Sequence, residues 1–110
     1  MPHDRKLDYL ELFGGDLAAT KQFYGGAFGW SFVDYGPEYA AFTGAGLDGG
    51  FQTEAAAPPL PILYADDLAA TVERVRKAGG EIVREIYSFP GGRRFHFRDP
   101  SGNELAVWSK

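Results

Sequence analysis

Two histidines, at 3 and 96, are the only imidazoles in this 110-residue chain, and cysteine is absent. Thiolate nucleophiles, thiolate metal sites and disulfides are therefore excluded, and nothing asks for an oxidising compartment. Serine occurs only at 31, 88, 101 and 109, and with one histidine inside the body of the chain no Ser-His-acid triad suggests itself. The glycines between 44 and 50 lack the spacing of a phosphate cradle and read as turns. The densest chemistry is the run Arg93-Arg94-Phe95-His96-Phe97-Arg98. Side chains alternate across a strand, so Phe95 and Phe97 point one way and Arg94, His96 and Arg98 the other. His96 is a candidate general base and Glu11 a second, with Arg94 able to steady developing negative charge. The plainer alternatives are a solvated basic ribbon for Arg98 and a structural ion pair with an arginine for Glu11.

The elements that must hold these residues are legible from a repeat. The string DLAAT occurs at 16–20 and again at 67–71. Each copy follows a short apolar run, Leu7 to Phe13 and Leu60 to Tyr64, and each opens a stretch of helical spacing. Leu17, Tyr24 and Phe28 form the apolar stripe of the first helix, and Leu68, Val72 and Val75 that of the second. Asp16 and Asp67 stand where N-caps belong, a better reading for them than catalysis, while Gly29 and Gly79-Gly80 stand at the helix ends. After each helix come three strand-like runs: Trp30 to Tyr35, Glu38 to Thr43 and about Leu47 to Gln52, then Glu81 to Tyr87, Arg93 to Arg98 and Glu104 to Trp108. Gly-Pro, Gly-Ala-Gly, Pro-Gly-Gly and Asp-Pro-Ser-Gly separate them as turns.

Each half thus reads βαβββ. The expected architecture is α+β: tandem βαβββ repeats, 7–52 and 59–108, joined by a linker at 53–58 into one domain. One half cannot cover both faces of its own sheet, so the two are expected to form a curved eight-stranded mixed sheet around a cleft with the helices outside. Nine Phe, six Tyr and two Trp make up 15% of the chain, enough to line a cavity or a subunit contact as well as a core. The net charge of −4 offers no global attraction for nucleic acid or anionic membrane. The charged N-terminus lacks the apolar run of a signal peptide, and no stretch reaches membrane-spanning length, so a soluble cytoplasmic protein is expected.

Several segments together resemble the vicinal oxygen chelate superfamily, which holds glyoxalase I, the bleomycin- and fosfomycin-resistance proteins and the extradiol dioxygenases. They are Asp16-Leu17 leading to Phe23-Tyr24 and Phe28-Gly29-Trp30, Asp67-Leu68 leading to Ala78-Gly79-Gly80, and Phe97-Arg98-Asp99-Pro100-Ser101-Gly102-Asn103. The resemblance covers nearly the whole chain and implies the fold, but it implies no single reaction, because that scaffold carries isomerisation, dioxygenation, epoxide opening and plain sequestration. The metal enzymes of the family keep histidine on the opening strand of each half and glutamate on each closing strand. The corresponding positions here are Tyr9 and Leu60, Ala106, and the stretch Gly49 to Phe51, none of them His or carboxylate. No metal and no cofactor is expected. A relocated metal site would have to draw on His96, Glu11, Glu104 and Tyr9.

If Tyr9 and Ala106 face inward, as the resemblance implies, alternation adds Glu11, Phe13, Glu104 and Trp108 to the cleft, and Leu60 adds Ile62 and Tyr64. The complementary set, Leu10, Leu12, Leu63, Leu105 and Val107, is aliphatic and suits the face beneath the helices. With Arg94 and His96, these residues suggest metal-free binding of a small apolar or aromatic molecule, held by rings and oriented by a few polar groups. The loop from Ser88 to Gly92 would close over the ligand or serve only as a hairpin turn. The alternatives are a lyase, isomerase or dioxygenase working through relocated metal ligands or through acid/base catalysis by His96 or Glu11, and an interaction module with a vestigial cleft. The expected partners are a small-molecule ligand and a second copy in a homodimer, with no nucleic acid and no membrane; whether each cleft is built by one chain or by exchanged halves stays open.

Overall fold

The computed structural model describes residues 3–110. Its elements run β1 (Lys6–Phe13), α1 (Leu17–Phe28), β2 (Ser31–Asp34), β3 (Tyr39–Thr43), β4 (Gly49–Gln52), β5 (Leu60–Tyr64), α2 (Leu68–Lys77), β6 (Glu81–Phe89), β7 (Gly92–Arg98) and β8 (Glu104–Ser109). The fold is α+β with an eight-stranded mixed sheet in the order β2-β3-β4-β1-β5-β8-β7-β6. Two compact units make up the chain: Tyr9–Leu60, and Pro61–Lys110 together with the N-terminal segment through Asp8. Among the described residues no helix is long and apolar enough to cross a membrane.

The same connectivity recurs in both units. In each, the opening strand pairs parallel with the closing one, β1 with β4 and β5 with β8, and the remaining pairs are antiparallel. A parallel pair needs a crossover, and the capped helix begins it. Asp16 accepts from Ala19 N at 3.1 Å and Asp67 from Ala70 N at 3.0 Å, so the two DLAAT strings start their helices identically. Gly29 ends α1 in the left-handed region at φ 75°, and Gly79 follows α2 at φ 100°. Asp99 closes the β7–β8 turn by accepting from the backbone N–H of Ser101 and of Asn103, both at 2.9 Å. The segment 53–59 forms neither helix nor strand.

The core of the second unit follows from alternation. Leu68 and Val72 of α2 pack with Phe95 and Val107 of the sheet, and Leu63, Val75, Ile82, Ile86 and Phe97 surround them. Burying one such aliphatic side chain stabilises by roughly 2 kcal/mol, so this face outweighs any surface contact of the helix. The first unit is built of rings instead. Tyr24 stacks on Trp30 at 4.7 Å, Trp30 lies 4.8 Å from Phe42, and Phe51 contacts both Tyr24 and Phe42. Much of the aromatic content is therefore core.

One local expectation needs correction. No residue of α1 is buried, and Phe28, expected in its apolar stripe, is 63% exposed. It is the last helical residue, directly before the left-handed Gly29, and overhangs the end of the helix. Of the two readings of Ser88 to Gly92, the hairpin turn is the one seen: β6 runs to Phe89, which pairs with Gly92 across the two-residue turn Pro90-Gly91. His3 lies 4.3 Å from the Tyr64 ring, and the arm behind it is tied down by Arg5 N to Tyr64 O at 2.7 Å and by Asp66 N to Asp4 Oδ1 at 2.8 Å.

Two adjacent glycines on β4 let aromatic rings lie against the strand. A Cβ on Gly49 would run into Phe42 and the Leu10 carbonyl, and one on Gly50 into the Tyr39 ring. Gly50→Ala is expected to destabilise the protein by about 1–3 kcal/mol, because the Tyr39 ring must move. In a Tyr39→Ala background the same change should cost far less. Urea denaturation of the four proteins in this double-mutant cycle checks the coupling. Asp67→Ala should lower stability by about 1 kcal/mol through loss of the cap, read in the same experiment.

Candidate functional site

Two polar clusters stand out, one in each unit. In the second unit, the face of the sheet away from α2 carries Arg94, His96 and Glu104. Arg94 pairs across the ladder with Trp108, and His96 with Ala106. His96 is 7% exposed; its Nδ1 lies 2.9 Å from Glu104 Oε2 and its Nε2 2.8 Å from the Tyr87 hydroxyl. Tyr87 in turn accepts from Arg94 Nε, and the Arg84 guanidinium covers its ring at 3.6 Å from the centroid.

Proton bookkeeping gives this chain one direction. The Arg94 guanidinium can only donate and an ionised Glu104 can only accept. Tyr87 accepts from Arg94, so its own proton goes to His96 Nε2, and His96 carries its proton on Nδ1 toward Glu104. The sequence Arg94→Tyr87→His96→Glu104 satisfies every member with a neutral imidazole. Burial lowers the His96 pKa and the Arg94 and Arg84 charges push the same way, while Glu104 opposes them.

Tyr87 and Arg84 reach His96 because β6 is irregular. Glu81 and Ile82 pair in step with Arg98 and Phe97, but the register shifts between Ile82 and Arg84 and again between Arg84 and Tyr87. Each bulge adds a residue on β6 and changes which face the next side chain takes. Neither bulge leaves a Gly or Pro in the stretch Ile82 to Tyr87, so alternation read from the sequence could not single out Tyr87.

Rings flank this cluster. Tyr64 meets Trp108 edge-on at 5.0 Å, and Phe89 lies 6.4 Å from Trp108. Trp108 Nε1 donates to both Asp8 oxygens, at 3.0 and 3.2 Å, and His3 Nε2 lies 3.6 Å from Asp8. Asp8 is absent from the residues singled out by sequence, since nothing local marks a carboxylate as the partner of an indole a hundred residues away. Ile62 and Ala106 are enclosed by protein, and Tyr64 is buried beneath His3.

The cluster of the first unit joins Tyr9, Glu11 and a residue the sequence did not single out, Tyr39. The two phenol oxygens are 2.6 Å apart, and Tyr39 donates to Glu11 Oε2 at 3.4 Å. Tyr39 therefore accepts a hydrogen bond from the Tyr9 hydroxyl, and this relay too ends on a glutamate. Burial raises the Tyr9 pKa, helped by the Glu11 and Asp48 charges, and raises that of Tyr39 further, so both phenols are protonated at neutral pH. Phe13 is not gathered with them. It borders a surface hollow of about 470 Å³ together with Leu12, Phe23 and Tyr24. Leu60 opens β5, half-buried and without polar chemistry. The lining of this hollow includes none of Tyr9, Glu11 and Tyr39.

The positions at which a divalent metal would be expected do not fit one. Tyr9 is tied to Tyr39, Leu60 and Ala106 are aliphatic, and Gly49 and Gly50 are kept bare by the rings against them. Among the described residues no group of three or more His, Asp or Glu side chains could hold a metal ion.

The His96 environment has a consequence for stability. Its folded pKa lies below the ordinary 6.5, so below that pH the unfolded chain binds the extra proton first and stability falls. Denaturation midpoints are expected to drop as pH is lowered from 7.5 through 6.5 to 5.5. A His96→Gln variant should lose that part of the slope.

Comparison with known proteins agrees with this architecture. "Anthracycline biosynthesis protein DnrV" of Streptomyces peucetius is 29% identical over 126 aligned positions, covering 93% of this chain and 46% of that protein. The glyoxylase-named CFP32 of Mycobacterium tuberculosis is 27% identical over 120, covering 92% and 44%. The chain thus spans less than half the length of these curated relatives. A glyoxalase/bleomycin resistance protein/dioxygenase superfamily member from Vibrio splendidus shares the fold, with TM-score 0.72 at 16% identity over 96% of this chain and 99% of that one. A family model matches residues 6–107, and the chain belongs to the Glyoxalase/Bleomycin resistance protein/Dioxygenase superfamily.

Proposed function

We propose that this protein binds a small, largely apolar aromatic molecule without a metal ion, and that the sheet face carrying Arg94, His96 and Trp108 recognises it. The observation that carries this reading is the satisfied state of the polar chain. Both His96 nitrogens are already engaged, so recruiting the histidine to a metal would break a hydrogen bond to Tyr87 or Glu104. Beside the chain stand Trp108 and Phe89, rings suited to packing against a planar ligand. The name of DnrV points the same way, since anthracyclines are fused-ring aromatics.

A catalytic reading has one observation in its favour. The lowered His96 pKa keeps the imidazole in its basic form at neutral pH, as a general base requires, though Nε2 must first be released by Tyr87. A homodimer belongs with the proposal as well: Phe23 and Phe28 are large exposed rings on α1, and a twofold contact would cover them.

Three measurements test these statements. Protein purified without chelator should contain no stoichiometric Zn, Ni, Mn or Fe; a stoichiometric metal would sink the metal-free reading. In a thermal-shift panel, bicyclic and tricyclic aromatics should raise the melting temperature, and Trp108→Ala should abolish the shift. Light scattering should give twice the chain mass, falling to one chain mass in Phe23→Asp/Phe28→Asp.

A further inference from the structure

We infer that Arg94 Nε and His96 Nε2 form a subsite for the hydroxyl of a phenolic ligand, and that Tyr87 occupies this subsite until the ligand's own hydroxyl replaces it. The inference rests on the aromatic-binding reading above and names the polar group such a ligand should carry.

The two nitrogens meet at one oxygen, that of Tyr87, and they ask opposite things of it. Arg94 offers a proton and can never accept one. His96 Nε2 offers a lone pair, because Glu104 holds the imidazole proton on Nδ1. A carbonyl, ether or carboxylate oxygen would satisfy Arg94 but set lone pair against lone pair at His96. An ammonium would satisfy His96 and repel Arg94. A neutral hydroxyl satisfies both, and selection of this kind is steep because the wrong group leaves a buried partner unmet.

The present occupant sits where it can leave. Tyr87 is half-buried on β6, the outermost strand of the order, and the register shift on its N-terminal side interrupts the ladder there. Bulges of this sort re-aim side chains and lower local stability, and they gather beside functional sites. The rings that would flank a ligand's phenol are those beside Arg94: Trp108, its cross-strand partner, and Phe89, whose ring centroid is 5.7 Å from the guanidinium carbon.

The test compares 2-naphthol with 2-methoxynaphthalene, which share the ring system and differ in the proton that His96 would accept. Wild-type protein should bind the naphthol more tightly. Tyr87→Phe removes the competing hydroxyl and keeps the ring under Arg84. It should tighten 2-naphthol by about tenfold, as expected when a competing closed state is removed, and tighten 2-methoxynaphthalene much less, since its ether oxygen meets Arg94 alone. Equal affinity for the two compounds in both proteins, or weaker naphthol binding by Tyr87→Phe, would overturn the inference while leaving the aromatic-binding reading intact. If neither compound nor any other aromatic binds either protein, the reading itself fails. A measurement without substitution covers a variant that does not fold: in 15N-labelled wild type, 2-naphthol should shift the His96 Nε2 resonance and leave Nδ1 protonated. An unmoved Nε2 at saturating naphthol counts against the subsite.

Discussion

A parallel pair of strands cannot be closed by a tight turn, and that constraint organises each unit of this protein. β1 must reach β4, and β5 must reach β8, through a helix and two further strands. Each crossover helix needs a capping carboxylate to start it and an apolar sheet face to lie on. In the second unit that claims Leu63, Phe95, Phe97 and Val107 for α2 and leaves Arg94, His96, Glu104 and Trp108 on the opposite face. The polar chemistry is a consequence of which residues the helix did not need.

The polar residues on that face are held by one another. Arg94, Tyr87, His96 and Glu104 form a chain whose proton direction follows from the two ends, a permanent donor and an ionised acceptor. Such a chain fixes the imidazole tautomer without a metal, and its buried member, His96, needs both partners because a buried polar group left alone costs more than its hydrogen bond is worth. Tyr9, Tyr39 and Glu11 form a second relay in the first unit, made possible by the bare backbone of Gly50.

Membership of the superfamily does not by itself assign metal chemistry to a chain. The family's ligand positions are held by a phenol already bonded to another, by aliphatic side chains, and by glycines against which rings have closed. Restoring a carboxylate at Gly49 or Gly50 would displace Phe42 or Tyr39, so the departure is built into the packing of β3 on β4 and cannot be undone by one substitution.

By itself the sequence determined the repeat, the two caps, the turns and the division of each strand into an aliphatic and a mixed face, since each of these is written within a few residues. DLAAT announces a capped helix wherever it stands, and Arg-Phe-His-Phe-Arg announces two faces. The tertiary structure alone decided that Tyr87 and Arg84 join His96, that Tyr39 joins Tyr9 and Glu11, that Asp8 meets Trp108, and that the Phe28 side chain lies in solvent. The physical reason is register. Cross-strand contacts depend on which residue of one strand stands opposite which residue of another, and a bulge shifts that correspondence by one position while leaving composition and local periodicity almost unchanged.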